Sequence, residues 1–406
     1  MNGISLLGGP AAMEAETLRV FGDTDVGWCA ATPPNETSDE DGRPVVRADG
    51  FSAADPRAPR RRVHDDPEVC ALRDRLRTAN GIRGLEVIAP DETERARRLL
   101  WRDGFVVVRD LLDAAALAAL REASARVLAQ ILAIPGFGGR KYVTETARLP
   151  HRYSYGTASA SRQLLHEPEW AAMIDLPTTR PILEALFGGD YYVIGAGGDL
   201  CLPGAIEYQT LHADNRERWD LPPGRLEQAQ RLGIELRREA QGVLLDRTRA
   251  LIFERTAPRI TINFLLTDQT FENGPIRHIP GTHARPGAPP TQADEPEWMR
   301  LSTLVGAPAG AGVFRDPRAW HGATPNLSRE IRAMPNVEYA APWEEETAFK
   351  PTLPHEMWLG LAEPGRRIAQ RVRAAPGVWP AGAGVMHPLA SGRAAAKGAP
   401  ADVPGR

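Results

Sequence analysis

Within Tyr208-Gln209-Thr210-Leu211-His212-Ala213-Asp214, a histidine and an aspartate stand two positions apart. Residues i and i+2 on an extended strand share a face, so an imidazole nitrogen and a carboxylate oxygen there can meet one ion. Two imidazoles and one carboxylate form the compact donor face of non-haem Fe(II) sites that keep coordination positions open. By itself a His-x-Asp pair is also what a solvated acid beside an ordinary histidine looks like. A third donor, supplied by the fold from elsewhere in the chain, has to decide between the two.

The elements that would position such a site can be read in order. Asp91 to Trp101 is a helix stopped at Asp103-Gly104. Phe105-Val106-Val107-Val108 is a buried strand. Asp113 caps a long helix whose Leu117, Leu120, Val127, Leu128 and Ile131 form an apolar stripe, ended by Gly136 to Gly139. Pro181 to Phe187 is a short helix closed by Gly188-Gly189, and Tyr191 to Ile194 and Ile206 to Leu211 are strands leading into His212. Residues 140–178, with His151, Tyr153, Tyr155 and His166, form a loop packed on the domain or lining a pocket. About 220–250 the β pattern is interrupted by Pro222-Pro223-Gly224 and a helical stretch, Leu226 to Ala240. This insertion serves as a lid or substrate-selecting element, or as an excursion away from the site. Arg259 to Leu266 is the clearest strand, with Ile260, Ile262 and Phe264 on one face. Further strands are Gly312 to Asp316 and Ile331 to Ala340, and helical pieces follow at Pro354 to Leu361 and Arg366 to Ala374.

Composition sets the bounds. The chain has 406 residues, 42% hydrophobic and 25% charged, with a net charge of −3, which is ordinary for a globular protein. No broad basic field points to nucleic acid, and no apolar run reaches the ~18 residues of a membrane span. Three scattered cysteines, Cys29, Cys70 and Cys201, without Cys-x-x-Cys spacing, argue against a disulfide framework and a structural zinc site. With no basic-then-apolar start, the expected compartment is the cytoplasm. Residues 1–70 and 376–406 lack helical or strand periodicity and are expected to be loosely ordered, leaving 71–375 as the domain.

Three ordered motifs carry a resemblance: His212-Ala213-Asp214; Glu272-Asn273-Gly274-Pro275 through Pro280-Gly281-Thr282-His283; and Trp320-His321-Gly322 with Arg332. Together they resemble the phytanoyl-CoA dioxygenase family of Fe(II)- and 2-oxoglutarate-dependent oxygenases, over about 95–343. The resemblance implies a mainly β, α+β fold with flanking helices around a double-stranded β-helix, the jelly-roll or cupin-like barrel. It implies His212, Asp214 and His321 as the Fe(II) ligands and as the catalytic centre, with 2-oxoglutarate and O2 as co-substrates.

The resemblance also implies a clamp on the distal carboxylate of 2-oxoglutarate by Arg332, eleven residues after His321. A hairpin centred on Asn326-Leu327 would set His321 and Arg332 directly opposite each other on one face. Thr282 stands where the family usually has serine and is assigned to the same carboxylate. Asn263 replaces a tryptophan common at that wall and is assigned to the co-substrate. Ala323 takes the place of a hydroxyl residue often found two positions after the distal histidine. The loop setting of His278 and His283 favours support of the site over ligation.

The implied reaction is hydroxylation of a small molecule with release of succinate and CO2, by a monomer or homodimer that binds neither nucleic acid nor membrane. Desaturation, epoxidation or cyclisation on a natural-product scaffold is the alternative within the class. A non-catalytic cupin-like binding protein is the alternative outside it. Related halogenases lack the carboxylate, so Asp214 argues against halogenation.

Overall fold

The structure, a computed structural model, describes residues 27–28, 62–132, 152–217, 219–285, 287–344 and 350–384. The helices are α1 (Pro67–Ala79), α2 (Thr93–Asp103), α3 (Ala114–Leu132), α4 (Pro168–Ala172), α5 (Arg180–Phe187), α6 (Pro223–Arg231), α7 (Asp246–Arg255), α8 (Glu297–Arg300), α9 (His355–Gly360) and α10 (Glu363–Ile368). The strands are β1 (Val87–Ile88), β2 (Phe105–Val108), β3 (Arg152–Ser154), β4 (Tyr192–Cys201), β5 (Arg259–Phe264), β6 (Arg277–His278), β7 (Gly312–Arg315), β8 (His321–Gly322) and β9 (Arg332–Ala340). Among the described residues, one sheet runs β1-β2-β7-β5-β9-β4-β3 and a second pairs β6 with β8. All pairings are antiparallel except β1 with β2. The minor layer is extended by isolated bridges from His212 to His321 and from Arg277 to Thr303. A major sheet, a facing minor layer and flanking helices make the expected α+β double-stranded β-helix.

Local chemistry accounts for the elements. Gly104 ends α2 with a left-handed φ of 83° that an L side chain adopts only under strain. The Asp113 carboxylate caps α3 by accepting from the Ala116 amide at 2.8 Å. The glycine-rich end expected for α3 at 136–139 lies outside the described residues.

Alternation along the central strands divides the major sheet into two unlike faces. Register sets Arg315 opposite Thr261, Thr261 opposite Glu338, and Asn263 opposite Asn336. Those residues, with Asp199 and Arg332, occupy the face toward the minor layer. The opposite positions are Ile260, Ile262, Phe264, Phe314, Val337 and Tyr339, all buried in the main core beneath α2 to α5. Each such side chain contributes about 1.5–3 kcal/mol by leaving water. The sheet is thus sealed from the helix side, and its polar face is left for the site.

Four expectations need correction. Residues 206–211 form no strand: Gln209 N–H donates to Ala323 (3.0 Å) and Asp214 N–H to Pro317 (2.9 Å), an irregular pairing that bends the chain at Asp214. His321 and Arg332 do not face each other in a hairpin. β8 pairs with β6, while β9 pairs with β4 and β5. The Asn326 amide causes the change of layer by donating to the carbonyls of Cys201 (3.0 Å) and Glu330 (2.8 Å).

The insertion contains two helices rather than one from 226 to 240. Gly233, with φ 81°, breaks the first, and Ala229, Ile234, Leu244 and Ile252 form a small core between them. Finally, packed structure extends past 71–375 at both ends. Trp28 sits with Val69, Leu76 and Leu327 and donates to the Ser328 carbonyl at 2.8 Å, and the Ser159 hydroxyl donates to the Gly382 carbonyl at 2.9 Å. No helix among the described residues is long and apolar enough to cross a membrane.

Candidate metal and co-substrate site

His212, Asp214 and His321 come together at the mouth of the barrel. One donor atom from each lies within 4.8 Å of the others. His321 Nε2 is 3.4 Å from one Asp214 oxygen, and His212 Nε2 is 3.6 Å from the other. Paired backbones fix the two histidines, since His212 N–H donates to the His321 carbonyl at 3.0 Å and the reverse bond is 2.9 Å. Each ring is oriented by its second nitrogen. Nδ1 of His212 lies 3.0 Å from the Thr210 carbonyl and Nδ1 of His321 lies 3.0 Å from the Ala319 carbonyl. A carbonyl can only accept, so Nδ1 carries the hydrogen and both Nε2 lone pairs are left as metal donors.

The electrostatics keep Asp214 and His212 in their ligating forms. Burial opposes ionisation of Asp214, but Arg315, then His321 and His212, outweigh it and hold the carboxyl well below the usual range. Burial, with His321 beside it, pushes His212 down to about 4, so its imidazole is neutral near pH 7. His278 stacks on His321 at 5.8 Å between ring centroids and on Phe105 at 4.8 Å. Its burial holds it well below 6.5, as an uncharged spacer behind the site.

The other expected site residues fall in different places. Arg332 lies on the inner face of β9 and is fully buried. Its Nε donates to the Gly274 carbonyl at 3.0 Å, and its Nη1 meets no partner. A buried guanidinium nitrogen without an acceptor fits an anion that completes the site. Asn263 accepts from Arg315 Nε at 3.1 Å. The Thr282 hydroxyl donates to the Ile279 carbonyl (2.7 Å) and accepts from Trp320 N–H (2.9 Å), so it fixes the residue before His321 instead of meeting Arg332. His283 is buried beside Gly104.

Two features escaped sequence reasoning. Arg315 donates to Asp214 at 2.6 Å. A charge at an inward position of β7, next to apolar Phe314, was the available signal. Behind Asp214, Glu217 is held from two sides. Arg225 of α6 bonds it at 2.8 Å, and Arg318, itself paired with Asp316, holds the other oxygen. Arg225 also donates to the Thr256 hydroxyl at 2.8 Å. The 220–250 insertion therefore braces the loop that carries Asp214.

Residues 242–334 match the sequence model of the family described as Phytanoyl-CoA dioxygenase (PhyH). That segment of the chain is similar to the phytanoyl-CoA dioxygenase family. The matched stretch holds His321, Arg332, Asn263 and Thr282 and begins after His212 and Asp214.

Solved structures similar to the chain include the epimerase SnoN in complex with Fe3+, alpha ketoglutarate and nogalamycin RO, at 18% identity over 62% of this chain and 84% of that one, TM-score 0.41. HygX from Streptomyces hygroscopicus with nickel, 2-oxoglutarate and hygromycin B is 15% identical over 62% and 88%, TM-score 0.40. EctD from S. alaskensis with bound Fe is 20% identical over 62% and 78%, TM-score 0.39. No curated protein matches the chain.

Proposed function

We propose that this chain is an Fe(II)- and 2-oxoglutarate-dependent dioxygenase (EC 1.14.11.-) that hydroxylates a small molecule. One observation carries the proposal: both Nδ1 atoms are tied to carbonyls, so two Nε2 atoms converge on a carboxylate held ionised. This donor set suits Fe(II), giving two nitrogens and one oxygen with positions left for a chelating 2-oxo acid and O2. His212, Asp214 and His321 would hold the metal, which supplies activation of O2. One oxygen atom of O2 enters the substrate as a hydroxyl and the other enters succinate as 2-oxoglutarate loses CO2.

The chain's own contribution is placement. Arg332, fully buried, receives the distal carboxylate of 2-oxoglutarate. Asn263 acts on that site through Arg315, and Arg315 holds one Asp214 oxygen so that the carboxylate presents the other. The test is anaerobic titration with Fe(II) and then 2-oxoglutarate, read by the metal-to-ligand charge-transfer absorption of the chelate. That band, and succinate formed on admitting air, are expected. Absence of both, with the protein folded, rejects the assignment and favours a binding barrel without turnover.

A further inference from the structure

The polar face of the major sheet lines a cavity of 340 Å³ beside Asp214 and Arg315. The charged groups of its wall are already engaged. Arg259 pairs with Glu344 at 3.2 Å, and Asp199 and Glu338 also have interaction partners. An unmet group lies in the facing minor layer. His278 of β6 stands opposite His321 of β8 in register, and His321 is bridged to His212. Opposed residues on paired strands share a face. Three imidazoles therefore stand in one row, with ring centroids 5.8 Å apart from His278 to His321 and 4.4 Å apart from His321 to His212.

The three rings are not held alike. His212 and His321 each turn Nδ1 to the carbonyl two residues back. For His278 that carbonyl belongs to Ile276, and it accepts from Leu304 N–H at 3.1 Å. The backbone of His278 is tied on both sides: its N–H donates to the Ser302 carbonyl at 3.0 Å, and its carbonyl accepts from the Ser302 hydroxyl at 2.7 Å. The ring itself is clamped between Phe105 and His321. Its position is thus fixed, yet neither Nδ1 nor Nε2 has a partner, in a residue that is 0% exposed. A neutral imidazole carries one N–H donor and one acceptor nitrogen, and burying both unpaired is costly. Phenylalanine would fill the same slot between two rings without that cost. Natural folds keep such unpaired groups chiefly where a function uses them.

We infer that His278 is a further co-substrate-binding residue, whose imidazole N–H donates to an oxygen of the 2-oxoglutarate chelated beside His321. The oxygens of a 2-oxo acid dianion only accept, so the ring meets them as a donor. The inference rests on the oxygenase reading and deepens it. It adds a contact from the minor layer to the Arg332 anchor of the major sheet, and it gives a reason for histidine at 278.

The experiment uses the full chain and its His278→Phe and His278→Gln variants. Each is titrated anaerobically with Fe(II) and then with 2-oxoglutarate, and the charge-transfer band and the ligand-free melting temperature are recorded. In His278→Phe the melting temperature is expected to match or exceed the parent's. Its Fe(II) dissociation constant is expected to stay within about threefold of the parent's, because the three metal donors are intact. Its 2-oxoglutarate dissociation constant is expected to rise about tenfold or more, the worth of one hydrogen bond to a charged group, and the band maximum to move. His278→Gln keeps an N–H and is expected to fall between the two. A band that does not move, with a 2-oxoglutarate constant within about threefold of the parent's in His278→Phe, overturns the assignment. So does a loss of Fe(II) affinity as large as the loss for 2-oxoglutarate, which would mean that the ring only supports His321. A His278→Phe chain that does not fold also overturns it, since the nitrogens would then serve the fold and not the ligand. Each of these results leaves the oxygenase reading intact, whereas failure of the band to form in the parent overturns both.

Discussion

Replacing Arg332 by methionine isolates the proposed co-substrate anchor. In the fold the guanidinium makes one bond, Nε to the Gly274 carbonyl at 3.0 Å, and its Nη1 is buried without an acceptor. Losing the Gly274 bond costs about 0.5–1.5 kcal/mol, and removing a buried cation with an unmet donor offsets part of that. The variant is therefore expected to melt close to the parent without ligand. Truncating one partner of a buried charge pair costs about 2–5 kcal/mol of binding. At a factor of ten per ~1.4 kcal/mol, the 2-oxoglutarate dissociation constant rises roughly thirty-fold at least and a few thousand-fold at most. Arg332→Lys keeps the charge but not the fork and falls between the two.

Charge-transfer titration of the Fe(II)-loaded protein gives the constants, and thermal melting gives an independent check. Bound 2-oxoglutarate at a hundred times its dissociation constant stabilises the parent by about 2.7 kcal/mol, and the same concentration does little for the methionine variant. A purely structural arginine would do the reverse, lowering the melting temperature and leaving the ligand-induced rise in place. Constants within threefold of the parent in both variants refute the anchor.

Arg225→Met leaves Glu217 buried with Arg318 as its remaining cation; a loss near the low end of the ~3–5 kcal/mol for a broken buried pair is expected in urea unfolding, and under about 1 kcal/mol contradicts the bracing role. Gly104→Ala forces an L side chain to φ 83° and sets its Cβ 2.7 Å from the His283 ring. It should destabilise by roughly 1–3 kcal/mol by calorimetry, and a neutral result shows that the turn relaxes freely. Burial depresses the pKa of His166, His278 and His283 below 6.5, so the unfolded chain binds protons that the fold refuses. Their contribution is complete above pH ~6.5 and shrinks as the pH falls, by up to about 1.4 kcal/mol per pH unit for each histidine. Urea unfolding at pH 7.5 and 5.5 measures it, and equal or greater stability at pH 5.5 contradicts it.

Much of the framework was legible where period and punctuation agree. Ile260, Ile262 and Phe264 alternate with polar neighbours, and the structure buries that face. Asp103-Gly104 reads as a stop and is one. Asp113 reads as a cap and acts as one. The His-x-Asp pair was found as a candidate, and motif order carried the distant His321. The error at Arg332 had a local cause, because the side chain of Asn326 redirects the backbone in a way that turn statistics do not encode. The missing strand at 206–211 has a similar origin in irregular pairing with Pro317 and Ala323. Arg315 and the Glu217 cluster went unseen because their partners are about a hundred residues apart along the chain, at 214 and 315 and at 217 and 318. Only closure of the barrel brings them into contact.

The two-faced major sheet has an evolutionary corollary. The side chains that seal the interior and those that line the cavity alternate along the same strands, one residue in each pair facing the core and its neighbour facing the cavity. Exchanging Asp199, Asn336 or Glu338 for another hydrophilic type leaves the hydrocarbon seam at Val337, Tyr339 and Ile262 untouched. The polar lining can therefore vary by point substitution while the apolar core on the other face stays as it is.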